Sequence, residues 1–170
     1  MILAAGTSSR LYPLTADTPK ALLDVAGRSI LDRMLDALAD AGVARAVVVT
    51  GYRADRIEAH LAAARPRVAV ATVTNAAYAT TNNAASLAVA RDATGGERFI
   101  LCDGDVVFSA SPFPALVASP DDSAIVVDRS AALDEEAMKV AIDARHRVTR
   151  LSKQLDARAS AGESIGVQKI

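Results

Sequence analysis

The hydrophobic positions of this chain fall into short apolar runs separated by stretches with helical spacing. Runs rich in apolar and β-branched residues predict strands at 46–50, 68–73, 99–102 and 124–128, with a very short first strand at 1–3. Apolar side chains spaced three and four residues apart predict helices from a Ser29 cap to about Gly42, over 54–64, and over 83–91 behind an asparagine cap.

The order of these elements predicts the fold. Strands that alternate with helices are joined by right-handed crossovers and build a mostly parallel sheet. The C-terminal part differs, because strand patterns at 138–142, 148–152 and 164–170 are separated only by turns and short loops. We therefore predict an α/β fold with a Rossmann-like, mostly parallel twisted sheet flanked by helices and a small antiparallel addition near the C-terminus. Residues 1–170 are interpreted as one domain. Because both ends stop abruptly, we expect it to be part of a longer chain.

Composition and charge narrow the function classes. Apolar residues make up 51% of the chain and the net charge is −1, so no global field attracts nucleic acid or an anionic membrane. The apolar runs fall short of the ~20 residues that span a bilayer. The N-terminus also lacks the regions of a signal peptide. We therefore expect a cytoplasmic protein with no nucleic-acid or membrane partner. The single cysteine, Cys102, excludes an internal disulfide and is expected to be buried.

Polar segments follow several of the predicted strands. They lie at 6–10, 50–52, 75–83 and 103–105. In open α/β sheets, ligands bind beyond the carboxyl ends of the strands. The sequence therefore predicts a binding site at this edge of the sheet.

The first polar segment is a loop of small residues that ends at Arg10. Gly6 allows close backbone approach and a positive φ, so successive N–H groups can point at a triphosphate. Arg10 can add a bidentate phosphate contact. The glycine spacing fits neither a Walker A loop nor the dinucleotide-binding fingerprint. Taken alone, the loop also fits an ordinary turn with a surface arginine.

Further motifs follow the loop in order along nearly the whole chain. They are Leu3-Ala-Ala-Gly6, Arg10-Leu11, Pro13-Leu-Thr15, Pro19-Lys20, and blocks at 49–52, 75, 81–83, 103–105, 134–139 and 162–166. This set resembles the nucleotidyltransferase superfamily of NTP transferases, and within it the small phosphocholine and phosphonate cytidylyltransferases. The sugar-1-phosphate members carry a glutamine-containing segment where this chain has Thr81-Asn-Asn83.

The resemblance implies Mg²⁺-dependent transfer of a nucleotidyl group. Its catalytic residues are expected to be Lys20, Arg10 and Asp105, with Asp105 also the metal ligand. Its nucleotide-binding residues are expected to be Leu3, Ala4, Ala5, Gly6, Thr7, Ser8, Ser9, Thr50, Gly51, Asn82, Asn83, Ser86 and Asp103. Its acceptor-binding residues are expected to be Lys139, Lys153, Tyr78 and Glu163.

Several of these assignments have an alternative. Asn83 fits either base recognition or helix capping. Lys139 can serve either substrate. Glu135 and Glu136 fit either the site or a solvated acidic loop. A second metal-binding aspartate, which the family usually carries near its C-terminus, has no counterpart in this chain.

The supply of aromatic residues bears on the acceptor. Choline recognition usually needs an aromatic cage, and this chain has no Trp, three Tyr and three Phe. That composition favours a small phosphonate acceptor over phosphocholine. The hypothesis is therefore transfer of CMP from CTP to an acceptor of the 2-hydroxyethylphosphonate, 2-aminoethylphosphonate or phosphocholine type, by a domain fused to or associated with another pathway enzyme. The alternatives are a sugar-1-phosphate nucleotidylyltransferase and a non-catalytic nucleotide-binding domain.

Overall fold

The computed structural model describes residues 1–108, 111–130 and 132–170. Its strands are β1 (Ile2–Leu3), β2 (Asp24–Val25), β3 (Arg28–Ser29), β4 (Arg45–Thr50), β5 (Ala69–Thr74), β6 (Ile100–Asp103), β7 (Ala124–Asp128), β8 (Lys139–Ile142), β9 (Val148–Ser152) and β10 (Gly162–Lys169). Its α-helices are α1 (Ile30–Asp40), α2 (Ala54–Ala64), α3 (Asn83–Ala90) and α4 (Phe113–Ala118).

One sheet organises these elements. Its strands run in the order β5-β4-β1-β6-β10-β8-β9, and β7 also pairs with β10. The strands β5, β4, β1 and β6 are parallel to one another, whereas β10 is antiparallel to β6, β7 and β8. The predicted Rossmann-like sheet with an antiparallel addition is therefore confirmed. The addition is larger than predicted, because β7 joins it rather than the parallel half.

The predicted helices also form, with small changes at their ends. Ser29 caps α1, since its hydroxyl oxygen accepts a hydrogen bond from the backbone N of Asp32 at 3.0 Å. The short hairpin of β2 and β3 and the six-residue helix α4 were not predicted. Within the described ranges, no helix has both the length and the apolar content to cross a membrane.

The core forms on both faces of the parallel strands. Successive residues of a strand point to opposite faces, and Val48 and Val49 accordingly join different clusters of buried residues. The larger cluster packs α1, α2 and α4 against one face, and the smaller one includes Ala90 of α3 on the other. Because helices cover both faces of the sheet, a ligand can approach it at the ends of the strands.

Cys102 lies in the centre of the core, on β6, and its side chain is fully buried. Burial raises the pKa of the Cys102 thiol to about 12. Because the thiolate is the reactive form, we expect native protein at pH 8 to be inert to a disulfide-exchange reagent and guanidinium-unfolded protein to react with one equivalent. Reaction of the native protein at the rate of a free thiol would contradict this burial.

Candidate active site

The sheet has a switch point between β1 and β6. From β1 the chain builds β4 and β5 on one side, and α3 then returns it to β6 on the other. In open α/β sheets, ligands bind in the crevice at such a point. A cavity of about 150 Å³ opens there, lined by Leu3, Ala4, Gly6, Ser8, Lys20, Ala21, Asn83, Asp103, Gly104 and Asp105.

A larger cavity of about 540 Å³ lies at the opposite edge, where the parallel strands begin. Arg45, Ala69 and Ile100, the first residues of β4, β5 and β6, contribute to its lining. Its remaining lining is mainly apolar and lacks the predicted catalytic residues. The smaller cavity is therefore the candidate active site, because it collects the charged and amide side chains.

Lys20 and Asp105 meet at this site although they are 85 residues apart in sequence. Lys20 is the first residue of a short 3₁₀ turn that directly follows the buried Pro19. Its ammonium Nζ donates a hydrogen bond to Asp105 Oδ2 at 2.8 Å. The two side chains are 31% and 45% exposed, so a ligand can reach both.

Asp103 lies deeper in the site, at the end of β6. Its Oδ1 accepts a hydrogen bond from Asn83 Nδ2 at 3.0 Å. Its Oδ2 lies against Gly166 of β10, where a Cβ would come within 2.3 Å of it. Burial raises the pKa of the Asp103 carboxyl; the Asp105 carboxylate adds to the rise and Lys20 opposes it. Two neighbouring carboxylates held this way form a local negative site suited to a cation.

The loop after β1 lies beside these groups, with Gly6, Thr7, Ser9 and Arg10 exposed. Gly6 does not use the positive φ that a glycine permits, and the left-handed residue of the loop is Ser8, with φ 51°. Thr15 holds that conformation, because its hydroxyl donates to the Ser8 carbonyl oxygen at 2.9 Å. Leu3, Ala4 and Ala5 contribute mainly backbone: Ala4 N donates to Val49 O, Gly104 N to Leu3 O, and Tyr52 N to Ala5 O.

The paired asparagines have different tasks. Asn82, not Asn83, caps α3, since its Oδ1 accepts hydrogen bonds from the backbone N of Ala84 and Ala85 at 3.1 and 3.3 Å. Capping by Asn83 is therefore wrong. As the first helical residue, Asn83 directs its amide to Asp103 instead.

Two residues predicted to bind the nucleotide are buried beneath the surface. Ser86 is 4% exposed, and its hydroxyl accepts a hydrogen bond from Asn75 Nδ2 at 3.0 Å. Thr50 is fully buried, and its hydroxyl lies 3.1 Å from that of Thr74. Both side chains belong to the packing beneath the site and are not exposed at its surface. Asn75, which the site prediction left out, ties Ser86 to the loop that follows β5 through a second bond to Thr81.

Gly51 and Tyr78 are packed together at the end of β4. A Cβ on Gly51 would lie 2.7 Å from both Ala5 O and Tyr78 Cβ. The Tyr78 ring makes an edge-to-face contact with Tyr52, with centroids 6.4 Å apart. The Tyr52 hydroxyl in turn bonds to the backbone carbonyls of Thr15 and Ala16. Two of the three tyrosines thus hold neighbouring loops together.

The predicted acceptor lysines lie across the sheet, on β8 and just after β9. Lys139 is 4% exposed, and its Nζ donates to the Lys153 carbonyl oxygen at 2.8 Å. Lys153 Nζ donates to Glu136 Oε2 at 2.6 Å, and Arg10 lies 3.8 Å from the same oxygen. The hydrogen bond and the positive charge of Lys153 lower the pKa of the Glu136 carboxyl, and the charge of Arg10 adds a smaller effect in the same direction. Glu163 of β10 pairs with Lys139 in the sheet register.

The structure does not bring all four predicted acceptor residues together. Tyr78 packs at the end of β4, whereas Lys139, Lys153 and Glu163 belong to the β8–β9–β10 region. Four strand spacings of about 4.8 Å, or roughly 19 Å, separate β4 from β8. Tyr78 therefore lies on the other side of the site from the lysines.

Asp103 and Asp105 are the residues that could hold a metal ion. Among the described residues, no group of three or more His, Cys, Asp or Glu side chains forms a metal cage. Mg²⁺ commonly uses only one or two carboxylates and completes its shell with water and substrate phosphates. The two aspartates fit Mg²⁺ delivered with a triphosphate.

Comparison with known proteins matches residues 1–164 to the MobA-like NTP transferase domain. A CMP-5'-(3-aminopropyl)phosphonate synthase of Streptomyces rubellomurinus is 36% identical over 129 residues, 76% of this chain and 20% of that protein. An N-acetylmuramate alpha-1-phosphate uridylyltransferase of Caulobacter vibrioides is 56% identical over 63 residues, 37% of this chain and 26% of that protein.

A solved structure gives the same fold. The inositol-1-phosphate CTP transferase from T. maritima superimposes with a TM-score of 0.81 at 28% identity, covering 99% of this chain and 68% of that one. The matched stretches make up only a fifth to a quarter of the two curated relatives. The family match nevertheless runs through the loop after β1, Lys20, Asp103 and Asp105. This chain therefore belongs to the family of MobA-like NTP transferase domains.

Proposed function

We propose that this domain transfers CMP from CTP to a small phosphonate or phosphate monoester and releases pyrophosphate. An oxygen of the acceptor attacks the α-phosphorus, a P–O bond forms, and the bond to the β-phosphate oxygen breaks as pyrophosphate leaves with the electron pair. The contact between Lys20 and Asp105 at the switch-point cavity carries this proposal. A cation and a carboxylate side by side at this cavity support the proposal, because a nucleoside triphosphate needs a cation for its phosphates and a ligand for its metal ion.

Lys20 supplies charge neutralisation. Reactions at phosphorus of this kind depend mainly on positioning and on stabilising the charge that develops on phosphate oxygens. An ammonium held at the cavity by Asp105 is already oriented toward that space. Arg10, on the exposed loop beside it, adds a second cation for the phosphates.

Asp105, with Asp103 beside it, would hold Mg²⁺. The ion supplies charge neutralisation for the triphosphate when bound. Asn83 keeps the Asp103 carboxylate in place from α3, and Gly166 leaves it room from β10. Lys153 is assigned to the acceptor, and the buried Lys139 supports it by holding the Lys153 carbonyl oxygen. A cytoplasmic location and a fused or associated pathway enzyme complete the proposal.

The relatives favour two different acceptor classes. The Streptomyces relative is named for an aminoalkylphosphonate, and it matches three quarters of this chain. The Caulobacter relative is named for a sugar phosphate and shares higher identity over a shorter stretch. Because the phosphonate relative matches 76% of this chain and the sugar-phosphate relative 37%, we place the phosphonate acceptor first and a sugar-1-phosphate second.

Pyrophosphate release by the full chain tests this function. Each of the four NTPs is supplied with Mg²⁺ and with 2-aminoethylphosphonate, 2-hydroxyethylphosphonate, phosphocholine or glucose-1-phosphate. We expect turnover with CTP and a phosphonate. Turnover only with glucose-1-phosphate would support the sugar-1-phosphate alternative. Nucleotide binding without turnover for any acceptor would identify a non-catalytic nucleotide-binding domain.

A further inference from the structure

Glu136 joins two cations that come from opposite ends of the chain. Its Oε2 accepts a hydrogen bond from Lys153 Nζ at 2.6 Å, and Arg10 Nη1 lies 3.8 Å from the same oxygen. In the proposed function, Arg10 serves the nucleotide phosphates and Lys153 serves the acceptor. A protein carboxylate therefore lies between the two cations that the substrates require.

Both members of the Lys153–Glu136 pair project from fixed backbone. The buried Lys139 holds the Lys153 carbonyl at 2.8 Å. Asp134 Oδ1 accepts hydrogen bonds from the backbone N of Glu136 and Ala137 at 2.8 and 2.9 Å, which fixes the turn that presents Glu136. A cavity of about 460 Å³ opens beside them, lined by Leu133, Asp134, Glu135, Lys139, Lys153, Gln154 and Leu155.

Charged groups of a ligand can replace either partner of the ion pair between Lys153 and Glu136 at little cost. The side chains of Glu136 and Lys153 are 72% and 47% exposed, so water screens their attraction. A phosphonate dianion carries more charge than a carboxylate and has three acceptor oxygens, so it competes well for Lys153. Once the phosphonate binds Lys153, Glu136 loses its nearest cation. An acceptor that also carries an ammonium group restores that partner.

We propose that Glu136 is the specificity-determining residue for acceptors that combine a phosphonate or phosphate with an ammonium group. The acceptor anion replaces Glu136 on Lys153, and the acceptor ammonium replaces Lys153 on Glu136. One ion pair becomes two, and the ammonium group offsets one of the two negative charges that the phosphonate dianion brings into the site. A hydroxyalkyl acceptor fills only the first position. This inference rests on the proposed function, and it adds the acceptor class.

Binding of two acceptors that differ only in that group tests the inference. Isothermal titration calorimetry compares 2-aminoethylphosphonate with 2-hydroxyethylphosphonate on the full chain, with and without saturating CMP. We expect the wild type to bind the amino compound roughly tenfold more tightly, the effect of one good charged contact. In Glu136→Gln that ratio should fall to about one, while the hydroxy compound binds more tightly because a competing carboxylate is gone.

Glu58→Gln is the control. It removes the same charge from an exposed residue of α2, outside the cavity beside Lys153, so it should keep the wild-type ratio. An unchanged ratio in Glu136→Gln, an equal fall in Glu58→Gln, or no binding of either phosphonate would overturn the inference. If the ratio depends on Glu136 but the chain does not turn over CTP, the inference stands and the proposed function is rejected.

Discussion

Lys20→Ala should lower kcat for pyrophosphate release roughly 100- to 1000-fold, the usual effect of removing one group that stabilises transition-state charge. The ammonium lies 2.8 Å from Asp105 at the mouth of the switch-point cavity and is only partly exposed. Its loss leaves the developing charge on the phosphates without the cation that is held there. Steady-state kinetics with saturating CTP and acceptor measure the effect, and thermal unfolding should show a Tm within a few degrees of the wild type.

Lys169→Ala provides a control for the removal of a lysine. Lys169 lies on β10 at the opposite edge of the sheet, where its Nζ donates to the Ser119 carbonyl oxygen at 2.7 Å. We expect this variant to keep the wild-type kcat. If Lys20→Ala also retained kcat within about threefold, the assignment of Lys20 to charge stabilisation would be rejected, even with the domain active.

Gly104→Ala should disrupt the site through the fold. A Cβ at Gly104 would lie 2.6 Å from Leu3 O and 3.2 Å from Ala4 Cα, and neither backbone atom can rotate away. Because Gly104 N also donates to Leu3 O at 2.9 Å, β1 and the turn after β6 would have to separate. Overpacking of this kind typically costs about 1–3 kcal/mol. Each kcal/mol should lower Tm by roughly 2–4 °C in a chain of this size.

Gly6→Ala is the matched glycine control. No atom lies within 4 Å of a Cβ built there, and Gly6 does not have a positive φ. Its Tm should therefore equal that of the wild type, whatever its effect on nucleotide binding. Chemical unfolding and differential scanning calorimetry of both variants give the comparison. An equal Tm for Gly104→Ala would show that β1 moves away from the turn at little cost.

The sequence predicted the elements of the fold better than their partners. Ser29 as a cap, the helix over 54–64 and the strands before Gly51 and Asp103 depend on local patterns, and all of them form. The antiparallel pairing of β7 with β10 depends on residues far apart in sequence, and no local periodicity encodes it.

For the site, too, the sequence predicted individual residues better than the contacts between them. Motifs indicated Lys20 and Asp105 as residues, but only the pairing of β1 with β6 brings their side chains together. A Ser or Thr in a motif has the same letter whether it faces a ligand or the core, so the burial of Ser86 and Thr50 could not be predicted. For Glu136, a place in the site and a solvated acidic loop fitted the sequence equally well. Its contact with Lys153, 17 residues later, could not be predicted from the sequence.

Strand β10 has a consequence for the size of molecule that fits the site. Gly166 lies against Asp103 on the nucleotide side, and Glu163 pairs with Lys139 on the acceptor side. Three fully extended residues would cover about 10 Å, and the left-handed Gly166 (φ 71°), within the irregular pairing of β10 with β7, shortens the segment. In the proposed function, this one strand therefore sets the distance between the nucleotide and the acceptor. Inserting two residues between these positions should move the acceptor out of reach of the α-phosphate.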